Sequence, residues 1–405
     1  MIARPDDGLI GLTPVEPRRA IGRMPNAPHQ RFHGFMDGAA YRLAIVEFDD
    51  QGRCHDRGQM DGVAGELDVL GARGEDAILL AYVHGWKHDA RSDDQNLAAF
   101  RALLAEVVRQ EATAAVGARP RAVLGVFVGW RGLSDYGLGD VIADTTFWGR
   151  QAAARRVATG SVRELFGRLR RYRNDRLARG GSPLLVIAGH SFGGAIVFSA
   201  IAQSLIEAAS APVGEMVPSF ADLVLLVNPA IEGARYLPIH DLVHSPAFVG
   251  RTTTQLPVLL CAQAENDRPL GTWFPIGNLP KQVGEATIGE LEKLCVTHAL
   301  GFVPAFRTHR LHGPEGEKPF TLEPPGAARV NPFWVVDVAR QVIDGHGGIW
   351  HQPFLQFLAS VVVQRVEGSQ GTPPRVGSPR AVAPGEPSDL AEVARRIGRI
   401  EMGKP

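Results

Sequence analysis

The sequence predicts an α/β protein built on a mostly parallel sheet with helices on both faces. Two observations carry this expectation. Short continuous aliphatic runs recur at residues 41–48, 77–83, 122–128, 183–188, 221–227, 257–262 and 333–343, with helical patterns between several of them. Strands apolar throughout, rather than alternating, belong to sheets buried on both faces, which is where parallel strands occur. The chain also has enough to bury: 405 residues, 45% of them hydrophobic, supply one large core or two smaller ones.

Residues 1–37 are rich in Pro, Arg and Gly without periodicity and read as a loosely ordered N-terminal segment. The run 41–48 opens a single α/β domain expected over 38–366, and 77–83 continues its sheet. A helix follows, with Leu97, Phe100, Leu103, Leu104, Val107 and Val108 on one face. Its start is marked by Ser92-Asp-Asp-Gln95, the spacing of a capping box. After the strand 122–128, a second helix carries Val162, Leu165, Phe166 and Leu169 inward. The strands 183–188, 221–227, 257–262 and 333–343 complete the sheet, and another helix is expected to start at Pro353. From Glu367 onward a Pro/Gly/Ser-rich tail buries too little to order itself. Within it Leu390, Val393, Ile397 and Ile400 have the spacing of a short terminal helix. No internal repeat is present.

Composition narrows the function classes. Lys plus Arg equals Asp plus Glu at 43 each, so no global charge favours nucleic acid or an acidic partner. Cys54, Cys261 and Cys295 are odd in number and widely spaced, which gives neither a disulfide framework nor a CxxC metal signal. The N-terminus lacks the apolar core of a signal peptide, and no uninterrupted run of apolar residues suggests a transmembrane segment. A cytoplasmic protein is expected.

In open α/β sheets the site forms in the crevice at the carboxyl ends of the strands. After the run 183–188 stands Gly189-His190-Ser191-Phe192-Gly193, which is G-x-S-x-G between a strand and a helix. There a serine sits on a tight turn, and the helix N-terminus behind it favours developing negative charge. A serine nucleophile needs a base, and the base an acid to orient it, in the chain order Ser, acid, His. Late in the chain "DGHGGIW" sets His346 in a glycine-flanked loop after the last strand, the context of a general base. The strand 257–262 ends in "AENDRPLG", which offers both Asp267 and Glu265. Asp267 is preferred because short aspartates in turns are the commoner orienters, and Glu265 remains the alternative. Asp241 and Asp344 come next.

An oxyanion requires backbone donors. The amide of Phe192 follows the nucleophile, and "AYVHGWKHDA" supplies a second at Trp86, where Gly85 lets the loop turn inward. His84 is expected to brace that loop. His84 and His88 have no Glu between them and no third ligand in register, so neither a metal nor another cofactor is expected.

Together "YVHGWKHDA", "GHSFGG", "AEND" and "DGHGGI" resemble the α/β-hydrolase superfamily over about residues 38–366, and the HGW loop is similar to that of bacterial esterase/lipase-like serine hydrolases. The resemblance implies an α/β-hydrolase fold with Ser191 as nucleophile, His346 as base, Asp267 as acid and the amides of Phe192 and Trp86 as oxyanion hole. It departs from the HGGG pattern of the hormone-sensitive-lipase-like branch. The implied reaction is hydrolysis of a small-molecule carboxylic ester through an acyl-enzyme. A thioesterase or acyltransferase would use the same groups, and a catalytically silent scaffold is the alternative from another class. Oligomeric state is left open.

Other features are double-edged. Arg131 follows the strand 122–128 and is a candidate for a polar substrate group, or a brace for a loop carboxylate. Trp273, Phe274, Phe302 and Phe306 are candidates for an acyl or alcohol pocket, or core. Asn228, at a strand end, is placed to orient loops. From Arg150 to Arg179 ten arginines face two acids, Glu164 and Asp175, and a solvated helix face is the favoured reading over a charged docking patch.

Overall fold

A computed structural model describes residues 34–36 and 39–361, apart from 87, 89, 91–93, 116–118, 131–142, 213–214, 252–254, 276–277, 279–288, 315–319, 324–330 and 359–360. Ten strands form one sheet: β1 (Gly34–Met36), β2 (Ala39–Phe48), β3 (Ala77–Val83), β4 (Ala122–Trp130), β5 (Leu184–His190), β6 (Leu223–Val227), β7 (Leu259–Ala264), β8 (His309–His312), β9 (Thr321–Glu323) and β10 (Phe333–Val338). Their spatial order is β1-β2-β4-β3-β5-β6-β7-β10-β8-β9. Every pairing from β2 through to β8 is parallel. Among the described strands, antiparallel pairs occur only at the two edges, β1 on β2 and β9 on β8. The fold is therefore α/β with a mostly parallel sheet.

The described helices are α1 (Arg57–Ala72), α2 (Gln95–Ala114), α3 (Ala143–Thr159), α4 (Val162–Ala178), α5 (Phe192–Ala209), α6 (Leu237–Val243), α7 (Pro246–Val249) and α8 (Glu290–Thr297), with a further helical segment at 352–358. Two core clusters lie on opposite faces of the sheet. Leu79, Ala81 and Val83 of β3 join one cluster with α1, α3, α4 and α5. Ile78 and Tyr82 of the same strand join the other with α2 and the segment that ends at Val361. The period of two along a strand splits its apolar side chains between the faces, which explains a strand with no polar side.

Two expectations are corrected, and one helix is added. The run 333–343 is strand only to Val338. Val342 and Ile343 are buried in a turn, with both amides bonded to the Ala339 carbonyl, so the apolar run reflected burial rather than extension. Helix α2 starts at Gln95 with Asp94 as its N-cap, the carboxylate accepting from the amides of Asn96 and Leu97. Gln95 is thus the first helical residue, not the third as a box from Ser92 requires, and Ser92 lies outside the described residues. Helix α1 was not anticipated. Gly58, Gly62, Gly65 and Gly71 obscured it, yet Met60, Val63, Leu67 and Leu70 form its buried stripe.

Helix α5 has the length and apolarity of a membrane-crossing helix, but here it is the central core helix, packed on α3, β5 and α6. Among the ten arginines between 150 and 179, five are tied to carboxylates: Arg150 to Asp50, Arg155 to Glu232, Arg168 to Glu164, Arg173 to Asp222 and Arg176 to Asp76. The terminal segments 1–33 and 362–405, including the expected terminal helix, lie outside the described residues.

Candidate active site

Ser191 sits between β5 and α5 with φ 55° and ψ −123°, a conformation that costs a residue with a Cβ energy. The neighbouring glycines make that turn sterically feasible. A Cβ at Gly193 would stand 2.1 Å from the Val83 carbonyl oxygen, and one at Gly189 would stand 2.5 Å from the Gly193 carbonyl oxygen. The Ser191 amide donates to the Val227 carbonyl, and the Ser191 carbonyl accepts from the Ala230 amide. The end of β6 thereby holds the turn from both sides.

Two other strand ends deliver partners. His346 Nε2 lies 2.9 Å from Ser191 Oγ, and His346 Nδ1 lies 2.8 Å from Asp267 Oδ2. Asp267 is 1% exposed, and its other oxygen accepts the Leu270 amide. The buried carboxylate fixes the proton on Nδ1, which leaves Nε2 as an acceptor facing the serine hydroxyl. Serine, imidazole and carboxylate thus form one continuous chain of hydrogen bonds.

Glu265 turns elsewhere. Its oxygens accept from Arg310 Nη2 and the Arg340 amide, so of the two carboxylates weighed from sequence, Asp267 is the one beside the imidazole. Asp344 accepts from Asn266 and Arg340, and those hydrogen bonds hold its carboxyl below the usual range. Asp241 is exposed beside His240.

The loop after β3 packs directly on the serine turn. A Cβ at Gly85 would come within 2.9 Å of His190 Nδ1 and 3.0 Å of Ser191 Cβ. Trp86, half-buried, follows immediately and packs on the core. His84 is fully buried. Its Nε2 accepts the Trp130 amide at 3.1 Å, so its Nδ1 carries the proton and donates to the Gly85 carbonyl. The Trp130 indole closes the loop by donating to the His84 carbonyl. His88 lies 3.2 Å from Asp94. Phe192, the first residue of α5, is buried with its ring edge-on to Trp130.

Other candidates are buried in the core or lie beyond the described residues. Phe274 is fully buried, which leaves it no exposed surface to offer a ligand in this conformation, and Phe306 is buried against Tyr236 and His240. Arg131 and the side chain of Trp273 lie outside the described residues. Sequence reasoning gave no role to His190 or Gln263, although the one polar residue in the otherwise apolar β7 was a visible signal. His190 is buried, its ring tilted against His346 at 4.9 Å between centroids, and bonded through Nε2 to the His346 carbonyl. Burial first, and then the neighbouring His346, push its pKa well below the ordinary histidine value, so it is neutral.

No protein-family model matches the chain, and no curated protein matches it in sequence. Among solved structures, a chain from a structural and mechanistic analysis of two prolyl endopeptidases matches it with a TM-score of 0.26 and 16% identity. That match covers 74% of this chain and 34% of the other. This chain therefore spans about a third of that one's length, and a likeness so slight carries no weight for fold or reaction.

Proposed function

We propose that this chain is a serine hydrolase of the α/β-hydrolase type that cleaves a carboxylic ester through an acyl-enzyme. One observation carries the reading: the unbroken chain from Ser191 Oγ through His346 to the buried Asp267 carboxylate, at the carboxyl ends of parallel strands. In this reading His346 takes the Ser191 proton as Oγ attacks the carbonyl carbon. Asp267 holds the imidazole orientation and stabilises the imidazolium that forms. The amides of Phe192 and Trp86 receive the oxyanion, and the dipole of α5 adds to that stabilisation. His346 then returns the proton to the leaving oxygen. In the second half-reaction it activates water, which releases the acid and restores the serine.

The test is labelling with a fluorophosphonate, followed by intact-mass analysis, on wild type and Ser191→Ala. A single adduct lost in the variant supports an activated serine. A folded wild type that takes no adduct overturns the reading. A panel of p-nitrophenyl esters, thioesters and anilides then decides the bond, with esters expected to turn over fastest.

A further inference from the structure

We propose that Asn228 is a positioning residue that ties the three loops of the Ser191–His346–Asp267 triad to one strand end, and that His190 is its partner in holding His346. The inference rests on the triad reading above.

Asn228 follows β6 directly. It is fully buried and is one of two described non-glycine residues with positive φ, at 43°, the other being Ser191. Each of its groups meets a different part of the site. Its amide donates to the Ala262 carbonyl of β7 at 2.8 Å. Its Oδ1 accepts from the Ala264 amide at 2.8 Å and from Gln263 Nε2 at 3.2 Å. Gln263 Nε2 also lies 3.1 Å from Asp267 Oδ2, the same oxygen that receives His346 Nδ1. Its Nδ2 donates to the carbonyls of His346 at 2.9 Å and Gly345 at 3.2 Å. On either side of it, Val227 and Ala230 hold the amide and carbonyl of Ser191.

His190 supplies a second donor to the same His346 carbonyl, at 2.8 Å through Nε2. Being neutral, it carries its proton on that nitrogen, and its buried Nδ1 has no hydrogen-bond partner. Two donors from two adjacent strand ends thus converge on one carbonyl oxygen. A carbonyl with two lone pairs accepts both, and the pair fixes the main chain beneath the imidazole. His346 itself stands eight residues beyond the end of β10, flanked by Gly345 and Gly347. Beyond the bond from the Gly345 amide to Asn266 Oδ1 at 2.9 Å, the carbonyl of His346 itself is held from β6 and β5, and these ties together set the reach of Nε2 to Ser191.

The experiment compares Asn228→Gly and Asn228→Asp, because both residue types tolerate positive φ. Asn228→Gly keeps the backbone and removes every side-chain bond. Asn228→Asp keeps the acceptor but turns an oxygen toward the His346 carbonyl in place of the donor. The readout is fluorophosphonate inactivation, resolved into the limiting rate and the half-saturating concentration, with folding checked by thermal unfolding. A displacement of the order of an ångström costs about a hundredfold in the limiting rate. Both variants are expected to show that loss with the half-saturating concentration changed less than about twofold. Where either variant fails to fold, His190→Phe carries the test, since it keeps the ring packing and loses one donor, with an expected loss of about tenfold. A folded Asn228→Gly, or a folded His190→Phe, that inactivates at the wild-type rate overturns this proposal alone. A wild type that takes no label overturns the triad reading instead.

Discussion

Alanine at Gly193 tests the site's geometry by steric means alone. The added Cβ would meet two carbonyl oxygens of the chain leaving β3, Val83 at 2.1 Å and His84 at 2.6 Å. Packed Cβ atoms keep at least 3.0 Å from their neighbours, so the nearer contact falls short by about 0.9 Å. Both obstacles are backbone, which no rotamer change can clear. Either the start of α5 or the end of β3 must move, and both flank Ser191. Overpacking of this kind costs about 1–3 kcal/mol of stability, and an ångström of misalignment costs about a hundredfold in rate. Gly167 is the matched control: it lies inside α4 with nothing within 4 Å of an added Cβ. Alanine there is expected to stabilise by about 0.5–1 kcal/mol through helix propensity and a stiffer unfolded chain. The two variants should therefore shift the urea unfolding midpoint in opposite directions, and only Gly193→Ala should lose fluorophosphonate inactivation rate. A Gly193→Ala protein that labels as fast as wild type would refute the argument that this close approach sets the serine's position.

Asp267→Asn should lower ester turnover by about 10⁴-fold, by the logic of a triad acid that sets the imidazole tautomer, whereas Glu265→Gln should stay near wild type; steady-state kinetics on p-nitrophenyl acetate compares them. Burial depresses the His309 pKa to about 4. The unfolded chain therefore takes up that proton first, and stability present above about pH 6.5 is lost as pH falls toward 4, by roughly 3 kcal/mol from this residue. Denaturant titrations across that window should show the decline, and His309→Phe, which keeps an aromatic ring against Trp334, should flatten it. An unchanged slope in that variant would assign the acid limb to other groups.

The sheet was legible because its strands are apolar on both faces, and burial on both sides leaves no alternation to misread. The serine turn was equally plain, since Gly189 and Gly193 mark where backbones must touch. What escaped had weaker local signals. The short strands β1, β8 and β9 run only three or four residues, and α1 carries four glycines. The choice between Glu265 and Asp267 was invisible locally because it depends on Arg310, brought in by β8 from 45 positions away. Likewise, Asn228 could be flagged at a strand end, but its partners at 263–264 and 345–346 come from elements far along the chain.

The position of β10 gives the order of synthesis a chemical meaning. This strand is made after β8 and β9 yet lies between β7 and β8, so the β8–β9 hairpin joins the sheet only when β10 slots in beside it. The same strand runs on into the loop that bears His346. On the proposed reading, completing the sheet and delivering the base are therefore one event. A nascent chain that has already made Ser191 and Asp267 would then still lack the imidazole, and its serine would stay an ordinary alcohol until the last interior strand is seated.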